Sequence, residues 1–172
     1  QLLSLHYHSQ PLFSLASEHI EILRKEMNQL ASTLPEYDTV MSIYGVGETY
    51  GPQLIAEIGD VSRFTHREAI TAFAGVDPGV NESGQFRQRS NRASKNGSTR
   101  LRKTLFQVMT TYLQNKPVNE PVYQFLDRKR AEGKPYLVYM TAGANKFLRV
   151  YYGKVKECLH NLEPDSLPSE KS

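Results

Sequence analysis

Residues 75–105 read GVDPGVNESGQFRQRSNRASKNGSTRLRKTL, and this stretch decides how the rest of the chain is organised. No acidic residue occurs between Glu82 and Glu120. Its Ser, Asn, Gly and Gln residues hydrogen-bond phosphate but pack poorly in a core, so the stretch is either a solvated loop or a surface for a polyanion. The acid-free interval contains eight cations: Arg87, Arg89, Arg92, Lys95, Arg100, Arg102, Lys103 and Lys116.

Turn signals divide this stretch into parts. Residues 85–89 alternate polar and apolar or basic side chains, which predicts a small β-hairpin with its turn at 81–84. The Asn-Gly pair at 96–97 predicts a second turn, and either Ser98 or Thr99 can cap a helix that follows it. That helix begins with three cations, where the helix dipole disfavours positive charge. A bound phosphate would offset this cost.

Residues 36–60, EYDTVMSIYGVGETYGPQLIAEIGD, come before the basic stretch and predict a helix-hairpin-helix. A short helix is expected to end at Tyr44, Gly45 and Gly47 to form the turn, and a second helix to run over 48–58. The first amides of that second helix would form a phosphate-binding N-terminus. A purely structural helical hairpin is the other interpretation, because turn glycines often serve only the turn.

The remaining segments predict a mainly α fold. Residues 1–34 carry apolar side chains at three-four spacing, typical of a long amphipathic, coiled-coil-like helix that packs on its own domain or on another chain. Residues 35–162 form the expected helical domain, with Thr65 as the N-cap of one helix and a final helix over 136–162. Residues 163–172 are expected to be a disordered tail.

The composition limits the function classes. A chain of 172 residues can bury one sizeable core, and its net charge of +3 is too small to attract nucleic acid without the local clustering of cations. The single cysteine excludes an internal disulfide and favours a reducing, cytoplasmic compartment. No stretch approaches the roughly 20 apolar residues of a membrane span. Since the chain begins at Gln1, without Met or a signal-peptide pattern, we expect a fragment of a longer protein.

The order of these motifs resembles a known family. IYGVGETYGPQLIAEIGDVSRF is followed by AITAFAGVDPGVNESG, then by SKNGSTRLRKTL and a helical end. This arrangement, over roughly residues 36–155, is similar to the C-terminal transposase domain of the insertion-sequence one-ten family, also called the one-ten/one-sixteen/nine-oh-two transposases. The combination of AGVDPG, the Ser-Gly pair and S-K-x-G-x-x-x-L-R is more specific than any one motif.

The resemblance implies DNA recombination, the excision and insertion of a mobile element. The serine that matches the family's Ser-Gly motif is Ser83, which the resemblance makes the nucleophile; an ordinary hairpin-turn serine is the alternative. Ser94 is the second candidate. Divalent metal (Mg²⁺) is expected only with acidic residues of an N-terminal RuvC-like domain, so no cofactor is expected in this fragment.

Three functions remain open at this point: the catalytic half of a serine-dependent transposase, a non-catalytic DNA-binding module, and a structured-RNA binder. The expected partners are DNA, a guide-type RNA, and further copies of the chain through the N-terminal helix, in association with the bacterial nucleoid. The residues expected to bind DNA are Gly45, Gly47, Arg87, Arg89, Arg92, Lys95, Arg100, Arg102 and Lys103.

Overall fold

The computed structural model describes residues 2–77 and 97–162, with side chains from residue 13 onward. Across these two ranges the chain forms seven α-helices and a 3₁₀ turn at Val61–Arg63, without any strand. The mainly α prediction is therefore confirmed. The predicted β-hairpin lies outside the described residues and stays a prediction. The helices are α1 (Leu2–Ala31), α2 (Tyr37–Met41), α3 (Gly47–Ile58), α4 (Arg67–Ala74), α5 (Thr99–Asn115), α6 (Pro121–Ala131) and α7 (Tyr136–Leu162).

The long C-terminal helix α7 packs against several other helices of the core. It contacts α2, α4, α5 and α6, and the Tyr152 hydroxyl donates to the Phe64 carbonyl oxygen at 3.0 Å. At Gly143 the helices come close, because a Cβ there would lie 2.6 Å from Leu126 Cδ1 and 2.9 Å from Met109 Sδ. The buried face of α7 follows helical three-four spacing and comprises Met140, Gly143, Ala144, Phe147, Leu148, Tyr151, Tyr152 and Val155.

The helix termini show which capping predictions hold. Ser98 is the N-cap of α5, and its Oγ accepts the Leu101 N–H at 3.1 Å, as one of the two alternatives predicted. The expected cap of α4 was wrong. His66, rather than Thr65, is the N-cap, and its Nδ1 accepts the Ala69 N–H at 3.2 Å. Both residues carry an acceptor, so the choice depends on where the backbone enters the helix.

α1 is one long helix whose exposed apolar side chains are its main feature. Ala31, at its C-terminal end, is buried, and the helix packs against α3. The helix ends before Ser32 and Thr33, whose hydroxyls donate to the carbonyl oxygens of Gln29 and Leu30. The large apolar side chains that stay exposed along it and just after it are Phe13, Leu15, Ile20, Ile22, Leu23, Met27, Leu30 and Leu34.

Candidate nucleic-acid interface

The residues predicted to bind DNA fall into two groups. Gly45, Gly47, Arg100, Arg102 and Lys103 lie in the described residues. The candidate nucleophile and the remaining cations lie in residues 78–96, which we call the basic segment, and the structure does not describe it. The predictions that fall there are those for Ser83, Arg87, Arg89, Arg92, Lys95 and the second candidate Ser94.

The two flanks of the basic segment meet at the C-terminal end of α4. The Ser98 N–H donates to the Phe73 carbonyl oxygen at 2.7 Å. Gly97 packs so closely that a Cβ there would collide with the Phe73 carbonyl oxygen and the Gly75 nitrogen. Gly75 has φ +66° and ψ +32°, the left-handed conformation that ends a helix and favours glycine. We call this meeting of the residues around 75 and 97 the clasp.

Side chains from three helices hold the clasp in place. Asn145 Nδ2 of α7 donates to the Val76 carbonyl oxygen at 3.2 Å, which fixes the chain just before the basic segment. Ser98 Oγ donates to Glu57 Oε2 of α3 at 3.2 Å, which fixes the chain just after it. Arg102 Nη1 of α5 donates to the Ala74 carbonyl oxygen at 3.2 Å. The basic segment therefore starts and returns at one fixed place on the helical core.

The three cations at the start of α5 have different environments. Arg102 is half-buried, and its bond to the Ala74 carbonyl oxygen places it at the negative end of the α4 dipole. Arg100 and Lys103 are exposed, and within the described part of the chain neither forms an ion pair. Two of the three predicted cations are thus available to an external anion, while Arg102 also stabilises the clasp.

Gly45 and Gly47 join α2 to α3 and have separate roles. Both have positive φ, +78° and +53°. Gly45 lies against the Tyr112 ring, since a Cβ there would be 3.1 Å from Tyr112 Cε2. Gly47 faces open space, because a Cβ there would meet no atom of the described chain within 4 Å, so another molecule can approach it. The first of the two helices, α2, has only five residues and ends at Met41 rather than at the expected Tyr44.

The start of α3 carries both backbone N–H groups that would attract an anion and a carboxylate that would repel it. Its N-cap, Val46, provides no side-chain acceptor for the first backbone N–H groups of the helix. Glu48 in the first turn is exposed and would repel a phosphate approaching this end. Nearby, the Tyr112 hydroxyl is buried without a hydrogen-bond partner in the described residues, and burial raises its pKa. Identification of this hairpin as a nucleic-acid-binding helix-hairpin-helix stays a prediction.

The described residues offer no clustered metal ligands and no membrane span. No three His, Cys, Asp or Glu side chains among them are grouped closely enough to hold a metal. No helix in the two described ranges is long and apolar enough to cross a bilayer. The Mg²⁺ that the family resemblance implies was expected on acidic residues outside this chain, and that expectation stays a prediction.

Several residues of the site were missed by sequence reasoning. The roles of Asn145, Glu57 and Arg102 in the clasp come from contacts between residues that lie far apart in the chain. No local sequence pattern indicates such contacts. Gly97 was predicted only as a turn residue. Its close packing against α4 gives the position a second requirement for glycine, and S-K-x-G is the motif that could have indicated it.

The comparisons with known proteins identify one family. The family model described as "Transposase IS116/IS110/IS902 family" matches residues 37–124, just over half of the chain. The match runs from α2 into α6 and includes the clasp and the basic segment. No curated protein matches the chain.

Proposed function

The chain belongs to the IS116/IS110/IS902 transposase family, and from that premise we propose that it is the DNA-binding, serine-bearing half of a transposase. In this proposal the complete protein excises and inserts a mobile element. One observation supports it: the two flanks of the segment that contains Ser83 meet at the hydrogen-bonded clasp, beside Arg100 and Lys103, which form no ion pair within the described residues. A fixed base is what a reactive loop needs to bring a nucleophile to a DNA strand.

The proposed chemistry begins at the Ser83 oxygen. Ser83 Oγ attacks a backbone phosphorus, the P–O bond to one deoxyribose oxygen breaks, and that oxygen leaves with a proton as a hydroxyl group. The phosphoserine ester conserves the energy of the phosphodiester, so the attack of a second strand's hydroxyl can rejoin DNA and release the serine. Arginines of the basic segment are the nearest cations in sequence to stabilise the charged transition state.

Divalent metal enters the proposal only from outside these residues. We propose that the carboxylates that bind Mg²⁺ belong to a RuvC-like domain in the complete protein, where the ion would stabilise charge on the reacting phosphate. The residues of the present chain hold and position the DNA backbone. On this basis the isolated chain binds nucleic acid without cleaving it.

A non-catalytic module that binds DNA or structured RNA is the second candidate. The observation that favours it is the open space at Gly47, next to the uncapped amides of α3. Phosphate contacts of this kind position a strand without reading its sequence. In either candidate, a guide-type RNA would bind through the same phosphate contacts.

We further propose that copies of the chain associate through α1 and that the complete protein acts at the nucleoid. The exposed apolar side chains of α1 support the association, because a solvated helix seldom carries so many. Recombination also requires several active sites in one complex.

The test of the nucleophile uses Ser83→Ala in the complete protein. We expect it to abolish the covalent protein–DNA adduct and strand exchange, while DNA binding stays within about two-fold of wild type, because the hydroxyl contributes little to phosphate affinity. Ser94→Ala, in the same segment, is the matched control and should retain both activities. Unchanged strand exchange with Ser83→Ala would reject Ser83 as the nucleophile, and unchanged exchange with Ser94→Ala as well would leave only the binding module.

A further inference from the structure

A groove of about 280 Å³ lies between α1, α3 and α5, next to the clasp. It is open to solvent on one side, and most of the residues that line it are polar. Its volume lies at the lower end of the range for pockets that hold small ligands, which begins at about 300 Å³. The lining residues that matter here are Met27 from α1, Gln53 and Glu57 from α3, and Arg100, Lys103 and Gln107 from α5.

Helical spacing brings these side chains to one place. Gln53 and Glu57 are four residues apart on α3, and Arg100, Lys103 and Gln107 follow three-four spacing on α5, so each set shares one helix face. Thr104 lies at the junction and donates from Oγ1 to Gln53 Oε1 at 3.3 Å. This bond joins α5 to α3 and leaves the Gln53 amide nitrogen as a donor for a ligand.

The charge in the groove favours an anion. Arg100 and Lys103 have no ion pair within the described residues, and they sit at the positive end of the α5 dipole. Among the described lining residues the one carboxylate is that of Glu57, and its Oε2 already accepts a hydrogen bond from Ser98. Arg100 and Lys103 together carry two positive charges and Glu57 carries one negative charge. The described wall of the groove therefore has a net positive charge.

We infer that this groove binds one unpaired nucleotide of a DNA or RNA strand. Arg100 and Lys103 contact its phosphate, and the amides of Gln53 and Gln107 hydrogen-bond its base. Amide side chains suit a base edge because each offers both donors and an acceptor. Met27 supplies a polarisable apolar surface for the face of the base. This inference rests on the proposed nucleic-acid binding and adds which form of strand is held and where.

The groove's position explains why a strand would reach it. Ser98 links the clasp to Glu57 in the groove wall, so the groove begins where the basic segment ends. Arg100 and Lys103 follow the cations of the basic segment in the sequence, so a phosphate backbone bound by that segment can continue onto them. A duplex cannot present a single base there, whereas an unpaired strand can.

The experiment measures binding of the whole chain to fluorescein-labelled 20-nucleotide single strands of DNA and RNA and to a fully paired 20-base-pair DNA duplex. Gln107→Ala removes an exposed amide from the groove and should weaken single-strand binding about five-fold, the loss of roughly one hydrogen bond, with duplex binding unchanged. Gln114→Ala, also exposed on α5 but outside the groove, is the matched control and should have no effect. The DNA and RNA arms show which strand the groove holds.

A second readout locates the base directly. A single strand containing 4-thiouridine should photocrosslink to the peptide that carries Met27, and an excess of unlabelled single strand should suppress that crosslink. If Gln107→Ala behaves like Gln114→Ala and no crosslink reaches α1, the nucleotide site is wrong while nucleic-acid binding stands. If wild type binds none of the three probes, the proposed function itself fails.

Discussion

Two helix ends in this protein each carry three cations, and they differ in what surrounds those charges. At the start of α5 are Arg100, Arg102 and Lys103, and at the end of α6 are Arg128, Lys129 and Arg130. The helix dipole disfavours the first set and favours the second. Each cluster contains two arginines and one lysine, so composition alone does not distinguish them.

The three cations of α6 each interact with a carboxylate or an aromatic ring of the protein. Lys129 pairs with Glu132 at 2.9 Å, and Arg130 lies 3.8 Å from Asp127. The Arg128 guanidinium carbon lies 5.4 Å from the centre of the Phe125 ring. These charges stabilise the end of their own helix.

The cations of α5 are matched only in part. Arg102 has the Ala74 carbonyl oxygen, whereas Arg100 and Lys103 lack an ion pair in the described residues and sit at the unfavourable helix end. An intramolecular partner, rather than charge density, therefore distinguishes a stabilising cluster from one that is available to a ligand. Three sets of substitutions test this contrast.

The largest effect is expected from Gly97→Ala, which breaks the contrast by forcing the start of α5 away from α4. A Cβ at this position collides with backbone atoms of Phe73 and Gly75, so we expect a loss of about 3 kcal/mol in the free energy of unfolding. Urea denaturation measures it. Gly153→Ala is the control: its methyl group meets no atom of the described residues within 4 Å, and alanine in a helix should stabilise by about 0.5–1 kcal/mol. Equal stability of Gly97→Ala and wild type would show that Gly97 does not pack this closely against the end of α4 in solution.

A smaller effect separates the two clusters directly. Arg100→Ala with Lys103→Ala should lower nucleic-acid affinity about ten-fold at low salt and flatten its salt dependence, because two phosphate contacts are lost. Arg128→Ala with Arg130→Ala should leave affinity within about two-fold and lower stability by about 0.5–1 kcal/mol, because favourable charges at a helix end are removed. Fluorescence anisotropy and thermal unfolding measure the two quantities. An equal loss of affinity in both variants would make the cluster on α6 a binding surface too.

The smallest effect concerns pH at the end of α6. The hydrogen bond from Lys129 holds the pKa of Glu132 below its ordinary value. A depressed carboxyl pKa adds stability above the unfolded-state pKa, and that contribution is lost as pH falls through the folded-state value. Lys129→Ala should therefore raise the Glu132 pKa towards normal, as seen by NMR titration of the side-chain carboxyl carbon.

Glu68 provides the control for this titration. Hydrogen bonds from its own backbone N–H and from Arg67 lower its pKa, and neither involves Lys129. Its titration should stay unchanged in Lys129→Ala. If Glu132 also titrates as in wild type, the Lys129 contact does not persist in solution. The Lys129–Glu132 ion pair would then no longer distinguish the α6 cluster from the α5 cluster.

Much of the fold follows from local patterns. The bounds of α7 agree with the prediction because a long three-four pattern of buried side chains has clear limits, proline before it and a polar tail after it. The buried face of α5, with Leu101, Leu105 and Met109, follows the same three-four spacing along the sequence. The predicted N-cap of α4 was wrong because Thr65 and the neighbouring His66 both carry an acceptor that can cap the helix.

The candidate site was less predictable, for a physical reason. The charge on Arg102 is evident in the sequence, but its contact with the end of α4 depends on tertiary packing of elements 28 residues apart. Nothing local separates Arg102 from Arg100, although one is half-buried and the other exposed. The role of Ser83 stays a prediction carried by the family motif.

The clasp also determines how this fold tolerates insertions. Its hydrogen bond between Ser98 and Phe73 brings the two flanks of the basic segment together on the core side, next to α4 and α5. Doubling the length of a closed loop costs only about 0.6 kcal/mol. Segments of different length and charge between the two flanks are therefore expected to change the stability of the helical core only slightly, while the core sequence stays the same.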